Sequence, residues 1–486
     1  YSNESTFARE VLTESGAGNE AAAALASGYL LSDDPYATDA GIEILGGDHE
    51  LYVPKFGIGR LVETFTEIGD QLDNFADFSG QLDPGTFSPS AAVTTYDFLD
   101  DGGQAIVNEL TAAGFDVDAL LDQTDIDPTT PDLDQWDKTA FLDLYGGTDF
   151  SVSSPSAHYD YESLLPAAPD AAGYFTDEQL VTTADVDALD APAGFASLVF
   201  TVGCHAGLSV SDVQLQNPAL DWAQLNAQGS NQFIAHTTYG YGDTDIVAYS
   251  ERLAQLFASN LGALLDEPVN DRTSLGQAVR DAKQRYLAGT LVLTPYDEKI
   301  LQSWTYYGLP MYTLGDIVED GTTAEGTSTF AQLSAATAID EESALVPGPA
   351  AFATADGTTT VDIDLGGGVL ERVDVDEDGD DTPDSSFYRV DGNAIVAQYR
   401  PVQPLVDVEI PIPGDYGGFL ITGLTTEDLP SADTPEPDPY VPFYSNPLVD
   451  NSLNETRIVV GDGAFPATLQ RVTDVGDEQR LLVAAG

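Results

Sequence analysis

The chain has 486 residues, with Lys+Arg 16 against Asp+Glu 82 and a formal net charge of −66. A field of that sign repels nucleic acid and anionic membrane surfaces, so neither is expected as a partner. Hydrophobic residues make up 42% of the chain, which is enough to bury cores and excludes an acidic disordered tail.

The acid runs along the whole length, which favours a carboxylate-rich surface suited to high salt over a local patch for basic partners or calcium. Cys204 is the only cysteine, so no intramolecular disulfide forms and stability must come from cores, with or without metals. No apolar run reaches the length of a bilayer, and no transmembrane segment is expected. No signal peptide is visible at the opening "YSNEST", so any export signal is expected upstream of it.

Residues 1–88 mix helical and strand signals and read as an N-terminal α/β subdomain. "ESTFAREVL" and "NEAAAALASGYLL" read as helices, being rich in Ala, Leu and Glu. A short strand is expected at "ELYV", then a helix from about Val62 to Phe78 that Thr64 or Thr66 caps. From Ser90 onward strands and helices alternate. "AAVTTYDFL" reads as a strand, "GGQAIVNELTAAG" as an amphipathic helix with a Gly stop, and "TDFSVSSPSAH" as a short strand. "FASLVFTVG" is an unbroken apolar run, as befits a strand buried on both faces, and "NQFIAHTTYG" is another. "YSERLAQLFASNLGALL" and "SLGQAVRDAKQRYLAG" are long helices, and "TYYGLPMYTLG" closes the region at about residue 316. Such alternation predicts a mostly parallel sheet covered on both faces. Residues 317–350 read as a linker. From 351 to 486 short β-branched runs alternate with Gly/Pro/Asp turns, the pattern of an antiparallel, immunoglobulin-like sandwich.

Cys204 stands in "VFTVGCHAG", where the apolar strand should end. The carboxyl ends of parallel strands are where open α/β sheets place their sites, and Gly203 and Gly207 would let a substrate approach the backbone. A cysteine attacks as thiolate and needs a base nearby. Four histidines are available: His49, His158, His205 and His236. His158 follows "DFSVSSPSA", a strand-to-loop transition like that of Cys204. His205 adjoins the cysteine, and neighbours on an extended strand point to opposite faces, so it is expected to pack the site rather than act as base. His236 ends the "NQFIA" strand and is expected on the same rim. A lone cysteine after a buried strand is most often an inert small hydrophobe. Two features weigh against that here: every other thiol is missing, and Cys204 and His158 stand at two sheet ends separated by a crossover.

Several blocks, in order, resemble the gingipain-like family of cysteine peptidases in the caspase-type clan: "GGDHELYVPKFGIGRLVET", "VTTYDFLDDG", "SAHYDY", "GCHAG", "TTYGYGDTD", "AVRDAKQRYL" and "TYYGLPMY". The resemblance spans roughly Asp33 to Leu314 and implies a caspase-like three-layer catalytic region over residues 89–316. It implies Cys204 as nucleophile, His158 as general base and acid, and backbone N–H groups of Cys204 and Tyr159 around the oxyanion. The family pattern has Gly after the His, where this chain has Tyr159. Members that cleave after Arg or Lys use a buried acid in the S1 pocket. Its place in order is "YDFLDD", which makes Asp97, Asp100 and Asp101 the candidates, with Ser156, Val202 and Tyr241 as walls. In so acidic a chain, any loop carries aspartates.

"DVDEDGDDTPD" sets Asp374, Asp376 and Asp378 at the odd positions of a calcium loop, with Asp380 and Asp384 as further ligands. Residue 385, where an EF-hand has Glu, is Ser, so a looser structural Ca²⁺ site or a solvated acidic turn is expected. No cofactor is expected for catalysis. The expected function is a cysteine endopeptidase acting on proteins or peptides, secreted or attached to a cell surface. The rivals are an inactive peptidase scaffold that binds calcium and a partner, and a transpeptidase or ligase that uses the same acyl-enzyme.

Overall fold

The computed structural model describes residues 30–315, apart from 39–40, 45–48, 83–88, 96–98, 122–135, 148–149, 168–178, 190–196, 211–219, 229–230, 244–245, 267–272 and 291–292; beyond these it describes 352–355, 358–361, 370–375, 385–390, 393–395, 402–405, 443–444, 469–475 and 478–484. The expected helices up to Tyr29, the linker 317–350 and, in the tail, residues 406–442 and 445–468 lie outside the described residues. Contacts divide the chain into two units. One holds Tyr1–Leu287, Leu293–Asp320 and Pro442–Thr456; the other holds Ala288–Val292, Gly321–Val441 and Arg457–Gly486.

The first unit is a mixed α/β structure around a six-stranded sheet. Helix α1 (Phe65–Asp77) begins at a capping box, with the Thr64 hydroxyl accepting from the Glu67 N–H and the Glu67 carboxylate accepting from the Thr64 N–H. Strand β1 (Ser90–Thr95) carries small residues that are buried from Ala91 onward. Helix α2 (Asp100–Ala112) buries Ile106 and Leu110 and stops at Gly114, whose φ of 89° only glycine adopts readily. There follow β2 (Asp116–Leu121), α3 (Lys138–Gly147), β3 (Val152–Pro155), β4 (Leu198–Phe200), α4 (Trp222–Gln228) and β5 (Gln232–His236). Then come α5 (Tyr249–Asp266), α6 (Leu275–Gly289), α7 (Pro295–Ser303) and β6 (Trp304–Tyr307).

The strand order is β6-β5-β4-β3-β1-β2. Every neighbouring pair is parallel except β5 and β6, which run antiparallel. The period-two alternation of strands divides their side chains between the two faces. Phe200 and Trp304 each meet Phe257 of α5 edge-on, at 5.2 and 5.5 Å between ring centres. Phe233, Ala235 and Tyr307 join a second core with Phe141 of α3 and Trp222 and Ala223 of α4. Full burial of each such large apolar side chain is worth about 1.5–3 kcal/mol, so the two cores fix both the register of the sheet and its carboxyl edge.

In the second unit the described strands pair two by two and antiparallel: 352–355 with 358–361, 370–375 with 385–390, 394–395 with 403–404, and 469–475 with 478–484. The hairpins match the alternating pattern; the sandwich expected from them is a larger assembly than these pairs. Among the described residues, no helix is long and apolar enough to cross a membrane.

Candidate active site

Strands β3 and β4 are parallel neighbours, with Leu198 opposite Val152 and Val199 opposite Ser153. Both therefore deliver their chains to the same edge of the sheet. His158 comes shortly after the end of β3 and Cys204 shortly after the end of β4.

Beyond Phe200 the chain makes one more sheet bond, Thr201 N–H to the Ile234 carbonyl at 2.9 Å, and then turns. Cys204 does not end a strand, although the apolar run before it predicts that it does; Cys204–Gly207 is a turn closed by Leu208 N–H to His205 O at 2.9 Å. His205 has φ +59°, in the left-handed region, so the opposite-face rule for extended neighbours does not govern it. Its ring meets Tyr239 edge-on at 4.6 Å. Burial holds its pKa below the ordinary value, opposed by the charge of Asp160.

The turn is fastened on three sides. Its backbone continues the β4–β5 pairing past the strands, through His205 N–H to Thr238 O and Gly207 N–H to His236 O, both 2.8 Å. The Tyr307 hydroxyl donates to the Gly207 carbonyl. Buried Asp221 accepts from Val210 N–H and Gln224 N–H, each at 2.7 Å. Gly203 and Gly207 serve this packing rather than substrate approach. A Cβ on Gly203 would lie 2.3 Å from the Tyr159 ring, and one on Gly207 2.6 Å from the Ala235 carbonyl oxygen. Cys204 is 1% exposed. Its sulfur accepts from the Gly240 N–H at 3.3 Å and lies 3.7 Å from the Gly240 carbonyl oxygen.

The His158 side is built differently. Ser156 N–H still bonds Thr94 O at 2.8 Å, extending the β3–β1 pairing. His158–Tyr159 then pairs antiparallel with Ser163–Leu165, which pairs with Val181–Thr182. Tyr159 donates its hydroxyl to the Pro155 carbonyl at 3.0 Å and packs edge-on against Trp222 at 5.4 Å. Trp222 in turn donates its indole N–H to Asp160 O at 3.1 Å. His158 is buried, with 8% exposed. The two loops touch where Val202 N–H meets Ser156 Oγ at 3.4 Å and where Gly203 lies under the Tyr159 ring.

The candidate pocket residues divide. Asp97 lies outside the described residues. Asp100 and Asp101 open α2 at the same sheet edge; Asp100 accepts from the Thr95 hydroxyl at 3.2 Å and Asp101 from Gly102 N–H at 2.8 Å. Ser156, Val202 and Tyr241 gather around the cysteine loop, yet all three are buried, Tyr241 against Tyr296 at 5.0 Å. His236 is wholly buried rather than on a rim, and its Nδ1 lies 2.8 Å from Ser303 Oγ. Burial first, and then the charges of Lys283 and His205, push its pKa down to about 3 and leave the ring neutral. His49 opens the short strand His49–Leu51, which pairs with Ile42–Ile44. Of the calcium candidates, Asp374 lies on the strand Leu370–Val375, opposite Ser386 and 2.6 Å from Arg372 Nε. Asp376, Asp378, Asp380 and Asp384 lie outside the described residues.

Sequence reasoning passed over Gly240, Asp221, Tyr307 and Glu251. Only the tight "YGYG" pattern hinted at Gly240. Glu251, on the first turn of α5, is buried and accepts from Asp243 N–H at 3.1 Å. Its Oε1 would lie 2.8 Å from a Cβ on Gly102, beside Asp101. Burial, and after it the charge of Asp101, pushes its carboxyl well above the ordinary range, against the pull of the Asp243 and Ala248 N–H groups.

No family model and no curated protein matches the chain. A solved structure described as "Structure of Protease" is similar at 11% identity with a TM-score of 0.36; the match covers 58% of this chain and spans 59% of that one.

Proposed function

We propose that the chain is a cysteine peptidase with its nucleophile at Cys204 and its general base and acid at His158. The observation that carries the reading is topological. Two adjacent parallel strands deliver a cysteine and a histidine to one sheet edge, and their loops are laced together through Ser156–Val202 and Tyr159–Gly203. The mostly parallel sheet is compatible with the caspase-like region that the gingipain-like resemblance implies. In this reading the Cys204 thiolate attacks the peptide carbonyl and a thioester forms. His158 gives its proton to the leaving amine and then activates water for hydrolysis. The backbone N–H groups of Cys204 and Tyr159 hold the oxyanion. Asp100 and Asp101 would favour an Arg or Lys side chain at P1, with buried Glu251 close behind them. Protein substrates, export to the cell surface and a calcium site at Asp374, Asp376, Asp378, Asp380 and Asp384 belong to the same proposal.

One observation favours a second reading, an inactive scaffold: Cys204 is 1% exposed and its sulfur is engaged by Gly240. Incubating the protein with peptides that carry Arg, Lys or an apolar residue at P1 separates the two. Cleavage by wild type and none by Cys204→Ala supports the peptidase, and faster cleavage after Arg and Lys supports the acidic pocket. Added amine nucleophiles ending up in the product would mark a transpeptidase. No cleavage of any peptide supports the scaffold.

A further inference from the structure

We propose that the backbone N–H of Gly240 holds the Cys204 sulfur as thiolate; the inference rests on the cysteine-peptidase reading and adds a residue to it. A sulfur with almost no exposure cannot have its charge solvated by water, so a protein donor must do so. Gly240 supplies one at 3.3 Å. The chain around it is pinned on both sides. Upstream, Thr238 O and His236 O accept from His205 N–H and Gly207 N–H, so the Gly240 segment is sewn to the cysteine turn itself. Downstream, Tyr241 N–H is taken by Ser250 Oγ at 3.1 Å. The donor therefore meets the sulfur without reorganising. The same geometry explains why the residue is glycine: a Cβ there would sit 2.1 Å from the Val202 carbonyl oxygen, on the strand-to-turn segment just before Cys204. The Gly240 carbonyl, 3.7 Å from the sulfur, faces the protonated thiol, so the two peptide groups that flank one residue meet the two states. On ionisation the thiol proton passes to the base, the contact it made to the Gly240 carbonyl is given up, and the N–H···S hydrogen bond shortens.

The test removes the N–H by putting glycolic acid at position 240, so that the amide becomes an ester with a weaker acceptor at the Tyr239 carbonyl. Circular dichroism and a melting curve check the fold. Two quantities are read: the pH at which thiolate absorbance develops in the ultraviolet, and the rate of Cys204 alkylation by iodoacetamide at neutral pH. The expected result is an absorbance midpoint moved to higher pH and alkylation slowed about tenfold, the worth of one hydrogen bond to a charged group. An unchanged midpoint and rate in a folded ester variant would overturn the inference, as would a wild-type thiol that never alkylates while folded. Gly240→Ala gives a second view, since the forced backbone shift should produce the same two changes. The peptidase reading fails separately. If the ester shifts the thiolate but wild type cleaves no peptide, the sulfur is held and the enzyme reading falls; if wild type cleaves and the ester changes nothing, the reverse holds.

Discussion

The two loops that meet at the sheet edge are built by opposite means. The His158 loop continues as β-structure, pairing first with Ser163–Leu165 and through it with Val181–Thr182. The Cys204 loop abandons the strand for a turn with a left-handed His205, held by backbone rungs, glycine contacts and the Asp221 carboxylate. A ladder spreads its restraint over many replaceable side chains. A turn concentrates it on a few positions that tolerate no substitution. The cysteine loop should therefore be the brittle partner and the histidine loop the forgiving one.

Gly207→Ala breaks that comparison hardest. Its Cβ would press on the Ala235 carbonyl, so a loss of about 1–3 kcal/mol is expected from overpacking, with slower Cys204 labelling. Urea unfolding and intact-mass labelling check it. Asp221→Ala comes next, because it leaves the N–H groups of Val210 and Gln224 without their acceptor; about 1–3 kcal/mol should be lost, visible as a lower urea midpoint with the slope unchanged. On the other loop, Tyr159→Phe removes the hydroxyl that donates to Pro155 O and keeps the ring, and about 0.5–1.5 kcal/mol is expected, with the fold and labelling kept. A larger loss there than at Asp221 would reverse the comparison.

Glu251 sharpens it by pH. A carboxyl whose pKa is raised in the folded chain binds its proton more tightly there than when unfolded. Its stabilisation is thus complete below the ordinary value of 4.5 and falls as pH climbs from there toward the raised value. Glu251→Gln should flatten that decline in a pH series of melting curves, and parallel curves for variant and wild type would remove the buried acid from the account of this edge.

The parallel scaffold was legible because its strands are apolar on both faces: "AAVTT", "LVF" and "QFIA" all lie within sheet strands, and Thr64 caps α1 where a cap was expected. Strand β2 escaped because its carboxylates sit on an exposed edge, and α7 because it buries Glu298 and Lys299, which read as surface. The positions of Cys204 and His158 at one edge could be read from crossover spacing. What surrounds the sulfur could not. A left-handed histidine, a carbonyl under Gly240 and a carboxylate reaching back from Asp221 are tertiary contacts with no periodicity. In the tail, alternation indicated hairpins, and Asp374 lies on a strand of one of them, beside Arg372.

The most direct measurement labels the protein in high salt with an Arg-containing acyloxymethyl ketone and compares wild type with His158→Ala by intact mass. Rapid modification at Cys204 that slows at least a hundredfold without His158, in line with the loss of a general acid–base group, is the predicted result. Equal rates in the two proteins, or no labelling of folded wild type with any P1 residue, would contradict the pairing of Cys204 with His158.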